Sequence, residues 1–322
     1  MAIFCYHASH EQFAPSHLLR LAVMAEQAGF KAIHSSDHFH PWSKRQGNSG
    51  FSFSWLGAAM QATAVPFSVV CAPGQRYHPA IVAQAVATLA EMFPNRFSVE
   101  LGSGEAINEE ISGDPWPPKD VRNERLLQSV DIIRRLLNGE NVTYSGLVKV
   151  KDAKLWSLPG HPPELFGAAL SSETAEWCGS WADGLLTTGD DIEQTKEKID
   201  VFRRVAGADK PVFIQFSFSY DTSKEEAIKG AHDQWRANLV SPEKLANLRK
   251  PESFDEAARD VSLEDVENKV EVFTSIDQLI EHAGQFEELG ADRIILHNIN
   301  KKHEQFIRHF GEVFSRAKSI SG

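Results

Sequence analysis

The segment Ser36-Asp37-His38-Phe39-His40-Pro41-Trp42 places a carboxylate, two imidazoles and an indole within one short stretch. It follows a brief apolar run and breaks at His-Pro-Trp, as a strand tip does. Imidazole titrates near neutral pH and an adjacent carboxylate orients it. His38 is therefore a candidate general acid–base group, and Trp42 a candidate pocket wall. His40 reads as a loop histidine. A second tip, Val99-Glu100-Leu101-Gly102-Ser103-Gly104-Glu105, runs from a strand into a glycine-rich turn that carries a carboxylate. Glu105 either caps the helix that follows or is an acid held protonated at a buried tip. Gly102-Ser103-Gly104 alone is too short to define a phosphate loop. Ser171-Ser172-Glu173-Thr174 opens a helix, and its hydroxyls and N–H groups would cap that helix or hold a phosphate. Two chemically loaded tips in one chain point to an enzyme. A rival chemistry is a metal-dependent barrel hydrolase built on the His38/His40 pair, with Asp37, His78 and His297 in reserve. Against it, the pair follows the second strand, and no lysine or histidine clearly ends strands four to six. A non-catalytic barrel would have little reason to load so many tips with polar groups.

These residues need a scaffold that brings separate tips together, and the rest of the chain supplies one. Short apolar runs near 3–6, 32–35, 67–71, 97–101, 165–168, 184–187, 212–216 and 293–296 alternate with helical patterns. Pro15 opens a helix with Leu18, Leu19, Leu21, Ala22, Ala25 and Ala28 on one face, and Gly29 closes it. Further helices are expected near 54–63, 80–92, 123–137, 172–181, 192–205, 276–289 and from 304 onward. The strands are nearly continuously apolar, as strands covered on both faces must be. The pattern predicts a single (β/α)₈ barrel over 1–322, with insertions near 141–158 (a β-hairpin) and 221–270. The Lys- and Glu-rich stretch 224–250 reads as a solvated helix face. A doubly wound sheet would need a glycine fingerprint after the first strand, and Tyr6-His7-Ala8-Ser9 is not one. In a barrel all tips face one mouth. That adds Gln75, Arg76, His78, Asn108, Glu109, Thr174, Thr187, Thr188, Asp190, His297 and Asn298 to the candidates.

Composition narrows the partners. The formal net charge is -11, which argues against nucleic acid and against a polybasic membrane binder. Cys5, Cys71 and Cys178 are widely spaced and odd in number, so they read as buried thiols of a reducing compartment. The first residues read as a strand rather than a signal peptide, and no apolar run suffices to span a bilayer. A cytoplasmic location is expected.

A resemblance sharpens this. His10-Glu11-Gln12-Phe13-Ala14-Pro15, Ser36 to Trp42, Phe51-Ser52-Phe53-Ser54-Trp55, Arg76-Tyr77-His78-Pro79, Pro94-Asn95-Arg96 and Gly102-Ser103-Gly104-Glu105-Ala106-Ile107-Asn108-Glu109 are similar to segments of the bacterial luciferase-like family of flavin and deazaflavin oxidoreductases. They are most similar to its branch that acts on glucose 6-phosphate with coenzyme F420. The match is dense over the first third and rests on element order thereafter. The resemblance implies a (β/α)₈ barrel and hydride transfer between a small organic substrate and FMN or F420, or a monooxygenase fed with reduced FMN by a reductase partner. It implies a homodimer and no bound metal. It makes His38 the base for a substrate hydroxyl, Glu105 an acid near the ring, and Trp42 a wall of the reacting centre that also touches substrate. Asp37 would contact the ring. Val69 and Val70 would form a non-proline cis bulge behind it, and Ala72, Ser103, Ala168, Leu170, Ser171 and Ser172 would complete the cofactor site. Two departures matter. Leu170-Ser171-Ser172 replaces a Gly-Gly pair, and hydroxyls there favour FMN over F420. Asp190 stands where a lysine would grip a sugar phosphate, with Lys244 and Lys269 at the other basic contacts, so glucose 6-phosphate is not the expected substrate.

Overall fold

Eight short apolar runs pair in parallel and close on themselves, because each must bury both faces. The computed structural model describes residues 2–189, 191–246 and 248–320. In chain order the elements are β1 (Ile3–Ala8), α1 (Pro15–Ala28), β2 (Ala32–Ser36), α2 (Ser52–Ala62), β3 (Phe67–Cys71), α3 (Pro79–Met92), β4 (Phe97–Leu101), α4 (Ala106–Glu109) and α5 (Lys119–Leu137). There follow β5 (Val142–Ser145), β6 (Lys149–Ala153), β7 (Leu165–Ala168), α6 (Ser172–Cys178), β8 (Leu185–Thr188), α7 (Ile192–Ala206), β9 (Val212–Tyr220) and α8 (Lys224–Trp235). The chain continues with α9 (Pro242–Leu245), α10 (Pro251–Ala257), α11 (Leu263–Lys269), β10 (Val272–Phe273), α12 (Ile276–Glu288), β11 (Arg293–Asn298) and α13 (His303–Ile320). The barrel runs β1-β2-β3-β4-β7-β8-β9-β11 and returns to β1. This is the expected (β/α)₈ architecture.

Helix α1 shows how sequence sets an element. Pro15 starts it, Leu18, Leu21, Ala22 and Ala25 bury one face, and Gly29 ends it at φ +105° with its N–H on Ala25 and Glu26 carbonyls. A Cβ at Gly29 would also meet the Phe314 ring at 3.2 Å. Residues on alternate strand positions face opposite ways. Phe67, Val69, Val99, Ile214, Phe216 and Leu296 face the helices in the main core. Cys5, Ala32, Phe166, Leu186, Phe213 and Ile295 fill the floor of the barrel. Two positions further along the same strands, the inward side chains turn polar: His7, His34, Gln215 and His297, with Glu100 beside Phe166 in register.

Both insertions are present. β5 and β6 form the antiparallel hairpin. The second insertion is a set of short helices, α8 to α11. Its outer face is solvated, with ion pairs Lys224–Glu267 and Lys229–Glu225. Its inner side is apolar. There Ala237, Phe254 and Ala258 pack on Ile107 and Trp42 and build a wall over one side of the mouth. The expected cis bulge at Val69-Val70 is absent, and no peptide bond among the described residues is cis. Both residues stay in regular ladder register, Val69 with Ser35 and Val99, Val70 with Ser36 and Glu100. Among the described residues, no helix is long and apolar enough to cross a membrane.

Candidate active site

His38 leaves the tip of β2, and its ring is fixed from below by a residue of the β1 tip. Glu11 Oε1 lies 2.7 Å from His38 Nδ1, with the His38 side chain 20% exposed and Glu11 4%. Glu11 is itself held by two hydroxyls, Ser36 Oγ donating to Oε1 and Ser9 Oγ to Oε2, each at 2.8 Å. Burial alone would push the His38 pKa down. The Glu11 charge and hydrogen bond overcome this and push it up to about 9. Burial would likewise raise Glu11, but the charge and hydrogen bond of His38 hold it well below the usual carboxylate range. The pair is therefore an imidazolium–carboxylate at neutral pH, with Nε2–H directed to the mouth.

Across the mouth, Glu105 Oε2 lies 3.8 Å from His38 Nε2. Glu105 is not the helix cap considered from sequence: it occupies the N-cap position of α4 but makes no side-chain cap bond. Its side chain is 45% open to the mouth yet ringed by protein, and this confinement raises its pKa against the pull of His38. Asn108 Nδ2 donates to it at 3.4 Å. The same amide's Oδ1 accepts the Phe39 and His40 backbone N–H groups at 2.9 and 3.2 Å, tying the two tips together. Trp42 stands edge-on to the His38 ring at 5.2 Å and to Phe254 of α10 at 5.4 Å. One wall of the mouth is thus aromatic and apolar, opposite a cluster of proton-carrying groups.

Asp37, expected to contact a cofactor ring, is held by protein partners on both carboxylate oxygens. Its Oδ1 accepts from Ser52 Oγ at 2.6 Å and Tyr77 OH at 3.1 Å, and its Oδ2 from Arg76 Nη2 at 2.8 Å. Arg76 Nη2 also donates to the Asp37 carbonyl, and the Arg76 backbone N–H to Glu109 Oε2 at 2.8 Å. This 3% exposed carboxylate is a strut that locks the tips of β2, β3 and β4 together.

Ala72, Gly102, Ser103 and Ala168 lie partly exposed on the tips of β3, β4 and β7. A Cβ at Gly102 would find only Ala168 Cβ, at 3.8 Å, so these small residues leave an open shelf beside Glu105. Val69 points away from it into the core, whereas Val70 packs inward. Leu170 is 75% exposed. Ser171 caps α6, its Oγ taking the Thr174 N–H at 3.3 Å, and Ser172 is half-buried. The cap reading of this cluster is therefore realised. Lys244 and Lys269 stand exposed on α9 and α11. Asp190 lies outside the described residues.

The metal alternative loses its geometry. Among the described residues, no three His, Cys, Asp or Glu side chains are grouped to hold a metal ion. The His40 ring packs on Phe39 at 4.9 Å. The residue that sequence reasoning missed is Glu11, which sits in a matching segment but was not ranked. The signal was available: it follows the first strand, so it belongs to the same ring of tips.

The luciferase-like monooxygenase family model matches residues 2–293. The F420-dependent glucose-6-phosphate dehydrogenase of Mycolicibacterium smegmatis is 33% identical, with 97% of this chain and 95% of that protein covered. Among solved structures, an F420-dependent secondary alcohol dehydrogenase in complex with an F420-acetone adduct is 30% identical. It superposes with a TM-score of 0.89 over 97% of this chain and 98% of that one. A riboflavin lyase with modified FMN and riboflavin shares the fold alone, at 13% identity and a TM-score of 0.75 over 99% and 92%.

Proposed function

Because the chain belongs to the luciferase-like family of oxidoreductases, we propose that it moves a hydride between coenzyme F420 and a small neutral alcohol or carbonyl compound. The observation that carries this is the Glu11–His38 pair facing Glu105 across an aromatic-walled mouth. The open shelf of Ala72, Gly102, Ser103 and Ala168 fits a planar tricyclic ring. The sequence preference for FMN rested on the hydroxyls of Ser171, Ser172 and Thr174; of these, Ser171 caps α6 and bonds Thr174, while the relatives at 30% identity and above are named for F420. A bound deazaflavin supplies the hydride acceptor or donor. His38 Nε2–H protonates a carbonyl oxygen during reduction and, once neutral, takes the hydroxyl proton during oxidation. Glu105, its pKa raised by burial, stands across the mouth from His38 as a second group able to carry a proton. Trp42 and Phe254 keep water from the reacting carbon. Trp42 at the mouth, backed by the buried Phe254 and Ile107, is an apolar wall that suits an uncharged substrate better than a sugar phosphate.

The test is a side-by-side titration of F420 and FMN by quenching of tryptophan fluorescence, followed by turnover with a panel of alcohols, ketones and glucose 6-phosphate. F420 binding with turnover of a neutral alcohol or ketone is expected. Binding of FMN alone, or robust turnover confined to glucose 6-phosphate, overturns the proposal.

A further inference from the structure

Beneath the mouth lies a line of titratable side chains that the proposed reaction does not use. Glu100, His34, His7 and His297, from β4, β2, β1 and β11, are each no more than 5% exposed. His7 and His34 are joined nitrogen to nitrogen, Nδ1 to Nδ1, at 2.8 Å. In a neutral pair one ring donates and the other accepts, so the two Nε2 atoms end up at opposite ends, one protonated and one bare. His34 Nε2 ends 3.8 Å from Glu100 Oε2. Neither that nitrogen nor either Glu100 oxygen makes a well-formed hydrogen bond, although all are fully buried; the Ser68 hydroxyl and the Glu100 backbone N–H are the donors nearest the carboxyl group. Beyond His7, the His297 ring packs at 4.1 Å, its Nδ1 near Ser217 Oγ and Gln215 Nε2.

The surroundings keep the rings neutral near neutral pH and keep the acid largely protonated up to about pH 7, where it is half ionised. Burial, then the neighbouring imidazoles His297, His34, His303 and His10, hold His7 far below its usual value. Burial, with His297 and Arg293, pushes His34 down to about 3 although Glu11 opposes it. Burial takes His297 down to about 4, again against Glu11. Burial pushes Glu100 up to about 7 against Ser68 and Arg293, while Cys5 and Cys71 face it as neutral thiols.

We propose that Glu100, His34 and His7 form a proton relay that stores one proton inside the barrel, directly beneath the active site. In the loaded arrangement Glu100 is a neutral acid facing bare His34 Nε2. His34 donates Nδ1–H to His7 Nδ1, and His7 carries its proton on Nε2. On discharge the Glu100 O–H breaks as His34 Nε2–H forms, and His34 Nδ1–H breaks as His7 Nδ1–H forms. The His7 Nε2 proton then departs. One proton leaves, one negative charge stays on Glu100, both rings remain neutral, and no oxidant or reductant is needed. The 3.8 Å gap closes to hydrogen-bond distance with a side-chain movement of about 1 Å. The proton leaves and returns at the His7 end, where the ring is 3% exposed while Glu100 and His34 are fully buried, so water reaching His7 Nε2 is the exchange partner. The use of the proton at His38 rests on the oxidoreductase reading; the relay itself does not.

The test uses the full-length protein without cofactor. Imidazole ¹⁵N spectra are followed across pH, alongside the infrared carbonyl band of a buried protonated carboxyl. His34 and His7 are expected to switch the nitrogen that carries their proton together, at one midpoint, as the band disappears. In Glu100→Gln the band and the switch should both be lost, since the amide N–H fixes His34 as acceptor at Nε2. In His34→Gln the band should persist while His7 stops responding. Rings that keep one tautomer while Glu100 titrates, or that switch unaltered in Glu100→Gln, overturn the relay. Circular dichroism confirms that each variant is folded. A shifted pH profile of turnover in Glu100→Gln, with cofactor affinity unchanged, supports the link to His38, and an unshifted profile overturns that link. Failure of F420 to bind strikes the functional proposal alone and leaves the spectroscopic result standing.

Discussion

Glu11 decides what His38 can do. With the pair intact the imidazole pKa stands at about 9, so near neutral pH His38 offers a proton and lacks a lone pair. Carbonyl reduction should therefore run at full rate below that pH, and alcohol oxidation should rise as pH climbs towards it. Replacing Glu11 with Gln removes the negative charge but keeps the shape. The midpoint of the oxidation limb is expected to move down towards the ordinary histidine value, about 6.5, read from kcat against pH. An unmoved midpoint would show that another group controls the limb. His38→Ala should lower turnover about 10²-fold or more with cofactor affinity retained. The pair also carries a stability signature. His38 has a raised folded-state pKa, so its contribution is complete below the unfolded value and disappears as pH rises through about 9. Thermal melts of wild type and Glu11→Gln should therefore converge as pH is raised through that range.

The site is assembled from the tips of separate elements, and each element can be tested for the part it plays. Ser171 opens α6 by accepting the Thr174 N–H. Ser171→Ala should cost about 1 kcal/mol of stability, as N-cap losses do. It should leave cofactor affinity unchanged, whereas weakened affinity at unchanged stability would restore the phosphate reading. Phe254 brings the α10 wall onto Trp42. Phe254→Ala should open the mouth and raise KM for a neutral substrate several-fold, and an unchanged KM would remove that wall from the substrate site. Element order was legible in the sequence because strands buried on both faces are apolar throughout and the helices carry clear caps. The tips bearing His38, Trp42 and Glu105 could be placed for the same reason. Glu11 was passed over because His10-Glu11-Gln12 sits in a polar loop with no glycine turn to mark it. The bracing of Asp37 was not legible, because its partners, Ser52, Arg76 and Tyr77, come from two other loops. The line Glu100–His34–His7 was hidden further still. Each member is a single polar residue inside an apolar run, and only the register between strands places them side by side.

At the scale of the whole molecule, the barrel encloses a layer that should weaken it. Barrel interiors are ordinarily packed with branched apolar side chains, yet above the apolar floor this one holds a carboxyl and three imidazoles away from water. A structure that existed only to be stable would have little use for them. The burden is measurable because it depends on pH. Glu100 titrates at about 7 when folded, against the usual value of 4.5. Between those two values the folded chain keeps a proton that the unfolded chain has released, so stability falls as pH rises through the interval. A shift of this size corresponds to about 3 kcal/mol. Glu100→Gln removes the titration while keeping the volume. The variant should match or trail the wild type at pH 4.5 and gain on it steadily up to about pH 7, beyond which the difference should level off. The check is the denaturation midpoint of both proteins measured across that range without cofactor. A difference that stays flat with pH would mean that Glu100 is ionised throughout, and both the stored proton and the stability burden assigned to it would have to be given up.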